Sequence, residues 1–189
     1  MSNLPDSFLF VNLFCAKINK KMNGGLFFMC HATKQEAYEL LDLLAINYQE
    51  VSHPAITSVK NLTFTLPGPQ VKNLLVKSKK GKQIYFVVLP DEKQADLKLL
   101  AEQLNEKRLS FVSEDQVKQL LHVPPGTVNP FALVNDLENE IQVVIDSSID
   151  RKDTVGFHPN SNTSTIIFPF ADFERLLAHV DHLPRYEVL

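Results

Sequence analysis

Gln70-Val71-Lys72-Asn73-Leu74-Leu75-Val76 follows a Leu66-Pro67-Gly68-Pro69 turn and runs directly into apolar residues. A second apolar run, Ile84 to Leu89, follows after Lys79-Lys80-Gly81. Proline and glycine mark the boundaries, so residues 73–77 and 84–89 read as two paired strands. The second strand is apolar throughout, which predicts burial on both of its faces.

Helices flank this pair. Thr33-Lys34-Gln35-Glu36 is a capping box, in which the Thr33 hydroxyl accepts from the N3 amide and Glu36 reaches back. The helix it opens carries Ala37, Leu40, Leu41 and Leu44 on one stripe. Tyr48 to Val51 reads as a short strand ended by His53-Pro54, because proline has no N–H to give a ladder. Leu97, Leu100, Ala101 and Leu104 make a second amphipathic helix. Ser113 caps a third, with Val117, Leu120 and Leu121 inward. Phe131 to Val134, Ile141 to Ile145 and Thr165 to Phe168 read as strands. Phe170, Phe173, Leu176, Leu177 and Val180 line a last helix, and Tyr186 to Leu189 is placed to close the sheet. Short strands mixed with helices in irregular order predict a single α+β domain with a curved mixed β-sheet. The domain spans 33–189; residues 1–32, rich in Phe and Asn without a clean period, form an N-terminal extension.

The chain has 189 residues, of which 44% are hydrophobic and 22% charged, so it can bury one ordinary core and is not globally disordered. Its net charge of -3 argues against a protein that coats nucleic acid non-specifically. Charge is nevertheless concentrated locally, with Lys72, Lys77, Lys79, Lys80 and Lys82 within one hairpin. Such a run meets an RNA end or is simply a solvated hairpin tip. Cys15 and Cys30 make no Cys-x-x-Cys and have no zinc-like His spacing, so a reducing, cytoplasmic setting is expected. The apolar run Phe8 to Ala16 is too short to cross a bilayer and lacks a basic leader, so no membrane association is expected.

The chemistry must come without the usual motifs. There is no nucleophile elbow, phosphate-binding loop, dinucleotide fingerprint or His-Glu-x-x-His. His179 and His182 have a metal-compatible spacing, but two surface imidazoles near a helix C-terminus explain them better. Three segments share another character: Lys72-Asn73, Pro125-Gly126-Thr127-Val128-Asn129-Pro130-Phe131, and Val155-Gly156-Phe157-His158-Pro159-Asn160. Each sets polar groups on a stiff Gly/Pro backbone beside an apolar strand, as suits a pocket for a small polar ligand. Lys72 and Asn73 are neighbours on a strand and so point to opposite faces. Gly126 lets a ligand approach the backbone closely. Taken separately, the second segment could equally be a connector. His158 could be a structural residue, and Asn160 could simply shape its turn.

Together with Glu50-Val51-Ser52-His53-Pro54, Asp96-Leu97-Lys98, Arg108-Leu109-Ser110-Phe111 and Val134-Asn135-Asp136, these segments resemble the prolyl-tRNA deacylase family. These are the freestanding relatives of the editing insertion domain of bacterial prolyl-tRNA synthetase. The likeness runs from about Thr33 to the C-terminus. It implies one curved, barrel-like mixed sheet packed with helices. It also implies hydrolysis of the ester joining a wrong amino acid, usually alanine, to proline tRNA. The family's lysine corresponds to Lys72, placed at the terminal phosphate or ribose. Gly126 and Pro130 match the Gly-x-x-x-Pro loop that holds the aminoacyl group by its backbone. On this basis the catalytic residues are Lys72 and Gly126, and Asn73, Thr57, Pro130, His158 and Asn160 bind substrate. No metal or organic cofactor is implied. The implied partner is the aminoacylated tRNA 3′ end, with prolyl-tRNA synthetase a candidate second partner and DNA excluded. Ala55 to Lys60 lacks the acidic run expected after His-Pro, which leaves the amino acid removed open.

An aminoacyl ester is already activated, so a positioned water and a stabilised oxyanion suffice. Two alternatives remain. One is a binding module of the same fold that hydrolyses nothing, and the other is a deacylase for another small aminoacyl-tRNA carrying Cys, Ser or Thr.

Overall fold

The computed structural model describes residues 32–55, 66–79, 82–124 and 126–189. Thr57, Cys15, Cys30 and nearly all of the N-terminal extension lie outside the described residues.

The capping box forms as predicted. Thr33 Oγ1 accepts from Glu36 N at 3.2 Å and Glu36 Oε2 accepts from Thr33 N at 2.6 Å, opening α1 (Lys34–Leu43). The strands follow as β1 (Gln49–Ser52), β2 (Val71–Ser78) and β3 (Ile84–Pro90). Next come α2 (Leu97–Gln103), β4 (Leu109–Phe111) and α3 (Glu114–Leu121). The chain ends with β5 (Ile141–Asp146), β6 (Thr154–Phe157), β7 (Ser164–Pro169), α4 (Phe170–His179) and β8 (Arg185–Glu187). Among the described residues no helix is long and apolar enough to cross a membrane.

The strands form two sheets. One is mixed and five-stranded, in the order β4-β2-β3-β5-β8; the other is antiparallel, in the order β1-β7-β6. The β2–β3 hairpin pairs Lys72 with Leu89 and Asn73 with Val88, and β3 runs parallel to β5. Ile84 to Leu89 is buried throughout, as the unbroken apolar run predicts.

Alternation along β2 divides the core. Leu75, Phe86, Val88 and Val143 face one way and pack with Phe157, Ile166 and Phe168 of the smaller sheet and with α1, α3 and α4. Val76, Tyr85, Val87 and Val144 face the other way, under Leu100, Ala101 and Leu104 of α2.

The expectation of one barrel-like sheet is overturned. A barrel needs its first and last strands joined by a hydrogen-bonded ladder. Here the larger sheet is open, ending in β4 and β8, each only three residues long. β8 pairs with β5 alone, so the C-terminal segment extends the sheet without closing it. In place of one closed sheet, two sheets share a core.

Two local expectations also fail. Phe131 to Val134 is not a strand but part of a 3-10 helix, Pro130–Asn135. Pro130 at its first position has its φ preset, and Asn129 Oδ1 accepts from Ala132 N at 3.2 Å as the cap. Phe131 and Leu133 are simply buried there as helix-face residues. His182 is not a surface imidazole. It is 3% exposed and its Nε2 lies 3.0 Å from Asp136 Oδ2. Burial opposes the Asp136 charge, but the His182 contact and the N–H groups of Ile141 and Glu140 outweigh it and hold its pKa below the ordinary value.

Candidate active site

The three segments singled out in the sequence are joined by side-chain amides. At the start of β2, Asn73 Nδ2 donates to Val128 O at 3.1 Å, seating the strand against the Gly126–Pro130 loop. Since a carbonyl only accepts, this contact fixes which end of the Asn73 amide is nitrogen. Asn73 Oδ1 is buried and has no hydrogen-bond partner. A buried orphan acceptor is costly, which marks it as a group awaiting a donor.

The loop is held from within. Thr127 closes its turn on Pro124 O, through its N–H at 3.2 Å and its hydroxyl at 2.7 Å. Gly126 sits in the left-handed region, at φ +79°, and is exposed. A Cβ built there would meet nothing within 4 Å, so the space beside its backbone is open to a ligand. Pro130 is buried, and Phe131 anchors the loop against Phe168, with ring centroids 6.2 Å apart.

Asn129 and Asn160 tie this loop to the third segment. Asn129 is fully buried and donates to Thr127 O at 2.8 Å and to Asn160 Oδ1 at 3.0 Å. Asn160 Nδ2 donates in turn to Thr33 O at 2.9 Å, at the head of α1. Asn160 is itself in the left-handed region at φ 54°, which Asn tolerates better than most residues.

His158 lies just before this strap, its ring 5.6 Å from that of His53. His53 is buried; its Nδ1 is 2.9 Å from Pro54 O and its Nε2 3.0 Å from Thr165 Oγ1. A carbonyl accepts, so His53 Nδ1 carries a proton and donates to Pro54 O. The His158 carbonyl accepts from Asn160 N at 3.0 Å, and its side chain makes no hydrogen bond to another described residue. Burial, with the neighbouring His53 adding to it, pushes its pKa down to about 4, so its imidazole is neutral near pH 7.

Lys72 stands apart from these groups. Alternation along β2 sends it to the α2 side of the sheet, opposite Asn73, and its Nζ donates to Asp91 O at 2.7 Å. It makes no hydrogen bond or ion pair with Asn73, the Gly126 loop or His158. It therefore lies at the same strand end as Asn73 but on the other face of the sheet. Gly68, at φ +73°, turns the chain into this strand, and Gln70 Nε2 ties the turn by donating to Pro67 O and Gly68 O.

The family model for the aminoacyl-tRNA editing domain matches residues 53–176, from His53 into the last helix. The chain belongs to the aminoacyl-tRNA editing domain family. Prolyl-tRNA editing protein ProX of Acetoanaerobium sticklandii is 33% identical over 147 residues, covering 76% of this chain and 90% of that protein. Prolyl-tRNA synthetase associated domain-containing protein 1 of Bos taurus is 31% identical over 151 residues, covering 76% and 88%. A crystal structure described as that of a hypothetical protein superposes with a TM-score of 0.62 at 19% identity, covering 81% of this chain and 98% of that one. This editing domain is thus of the trans-editing deacylase class in general, a hydrolase class that acts on tRNA.

Sequence reasoning brought Asn73, Pro130, His158 and Asn160 into one neighbourhood, and the structure joins their segments. It overlooked Asn129, His53, Thr165 and Asp91 as parts of the site. Asn129 had a usable signal, since an Asn directly before Pro is a helix-cap pattern. His53 was read as a strand stop and as part of the resemblance, without a role in the site. Thr165 and Asp91 carry no local signal, because their roles come from pairing across the fold. Thr57 lies outside the described residues.

Proposed function

We propose that this editing domain hydrolyses the ester of mischarged proline tRNA in trans, with alanyl-tRNA its main substrate. The observation that carries this reading is the Asn73–Val128 hydrogen bond. It seats the Lys72-Asn73 strand end on an open-backbone Gly126 loop, and neutral His158 stands two residues before Asn160, which is bonded to that loop through Asn129. The names of the ProX and Bos taurus relatives, both referring to prolyl-tRNA, support the choice of tRNA.

In the proposed reaction a water oxygen attacks the ester carbonyl carbon. The bond from that carbon to the ribose oxygen then breaks, and the proton lost by water ends on the ribose hydroxyl. Lys72, at the strand end, holds the terminal phosphate or ribose. The backbone around Gly126 orients the aminoacyl carbonyl, and Asn73 Oδ1 gains a donor from the substrate. Pro130 and His158 set the size of the amino-acid pocket. Asn160 acts as a positioning residue, since both ends of its amide hold protein groups. One methylene discriminates by only about 1–3 kcal/mol, so rejection of prolyl ester rests on steric exclusion by the rigid loop. The reaction belongs in the cytoplasm, with prolyl-tRNA synthetase the candidate source of the mischarged tRNA.

The test is steady-state deacylation of alanyl-, cysteinyl- and prolyl-tRNA for proline, wild type beside Lys72→Ala. Loss of one charge-assisted contact removes about 1.5–3 kcal/mol of transition-state stabilisation, roughly 10- to 150-fold in kcat/KM. Turnover of alanyl-tRNA with prolyl-tRNA spared supports the reading. Unchanged turnover in the variant removes Lys72 from it, and no turnover on any substrate leaves a binding module.

A further inference from the structure

The hairpin lysines divide into two groups in the fold. Lys72 is at the site end of β2, whereas Lys79 and Lys82 flank the turn at the opposite end. Seven residues at about 3.3 Å per residue place Lys79 roughly 23 Å from Lys72 along the strand. At that far end the chain adds two more cations. Lys79 N donates to Arg108 O at 3.0 Å, and Ser78 pairs with Leu109, so Lys107 and Arg108 are carried to the hairpin tip by β4.

All four side chains are exposed, and none is in an ion pair with another described residue. Two acids lie near this end, neither in an ion pair with these four side chains. The Glu106 carboxylate accepts from Tyr85 OH at 3.0 Å, and Glu140 approaches this end through its backbone carbonyl, which accepts from Gln83 Nε2 at 3.2 Å. Lys77, one step inward, is turned away towards Gln116. In a chain of net charge -3, four exposed cations gathered at one sheet corner are a local concentration of positive charge.

We propose that Lys79, Lys82, Lys107 and Arg108 form a second tRNA contact that grips the phosphates of the acceptor stem while the 3′ end lies at the Lys72 end. This rests on the tRNA reading above and extends it to the body of the tRNA. Charge complementarity favours a polyphosphate backbone as the occupant, and the separation suits a duplex that begins beyond the unpaired 3′ tail. Such contacts position without reading sequence.

The experiment measures binding of uncharged, fluorescein-labelled proline tRNA by anisotropy over a salt series. It compares wild type, the K79A/K82A/K107A/R108A variant, and a K98A/K152A control. The four-fold variant should bind more than about tenfold more weakly near 0.1 M salt, with its log–log salt slope shallower by about 3. The control should match wild type. In deacylation the same variant should raise KM on full-length alanyl-tRNA, with kcat unchanged and activity on an alanyl-CCA trinucleotide unchanged. An affinity and slope equal to wild type overturn the patch while leaving the deacylase reading intact. Patch-dependent tRNA binding without hydrolysis by wild type supports the patch and overturns the deacylase reading. Failure of wild type to bind the tRNA overturns both.

Discussion

Asn73 and Val128 are joined by one hydrogen bond of 3.1 Å, and that bond leaves the other end of the Asn73 amide buried without a partner. A strand that opens a hairpin is thereby fastened to a loop distant in sequence. Asn73→Asp replaces the donor by a charged acceptor facing the Val128 carbonyl. It should destabilise the fold by about 1–3 kcal/mol in urea melts and depress kcat/KM further than stability explains. If activity and the urea midpoint both match wild type, the bond does not hold the loop.

Gly126→Ala probes the open backbone. No side chain opposes the new methyl, so the cost comes from the left-handed φ alone, about 1–2 kcal/mol. A ligand lying against that backbone would add a rise in KM. Gly156→Ala is the contrast. Its Cβ would lie 3.0 Å from Thr165 Cγ2, so the same methyl acts through packing between β6 and β7. A thermal shift in both variants, with KM changed only in the first, would separate the two effects.

Asn160 combines two requirements, a left-handed backbone and an amide that bridges Asn129 to Thr33. Asn160→Gly keeps the first and loses the second, and Asn160→Ala loses both. The glycine variant should lose about 1–3 kcal/mol and the alanine variant about 1 kcal/mol more, read from chemical denaturation. Equal losses would mean that the backbone conformation contributes nothing.

His158 predicts a pH dependence with a definite sign. Its folded pKa is about 4 against an ordinary 6.5, so the unfolded chain binds the extra proton first as pH falls. Its contribution to stability is complete above about pH 6.5 and is lost progressively towards pH 4. His158→Gln should flatten the stability profile in that window when melts are compared at pH 7.5, 6 and 5. The wild-type rate profile should show no His158 step between pH 6.5 and 8.

Much of this architecture was legible because local signals agreed with the fold. The Thr33 capping box, the Ser113 cap and the stripe from Phe170 to Leu177 each carry their own explanation within a turn or two of helix. The unbroken run Ile84 to Leu89 announced a central strand. Sheet closure was not legible, since it depends on which edges meet, and β4 and β8 are too short to leave a pattern. Phe131 to Val134 misled for a related reason: four apolar residues fit a strand or a buried helical turn equally well, and the deciding residues were Asn129 and Pro130 before them. At the site, residue types identified the segments, but their joining through Asn73, Asn129 and Asn160 is a property of tertiary contact. The same is true of Lys72, whose place on the opposite face from Asn73 follows from strand alternation, while its tie to Asp91 does not.

The parallel pairing of β3 with β5 has a consequence for the order of folding. The β2–β3 hairpin can assemble from neighbouring residues, but β5 reaches β3 only after a crossover from Pro90 to Ile141. The Gly126 loop lies within that crossover. A nascent chain released before residue 146 can form its hairpin yet presents no pocket. His158 and Asn160 also follow residue 146, so the three segments of the site are all present only in the completed domain.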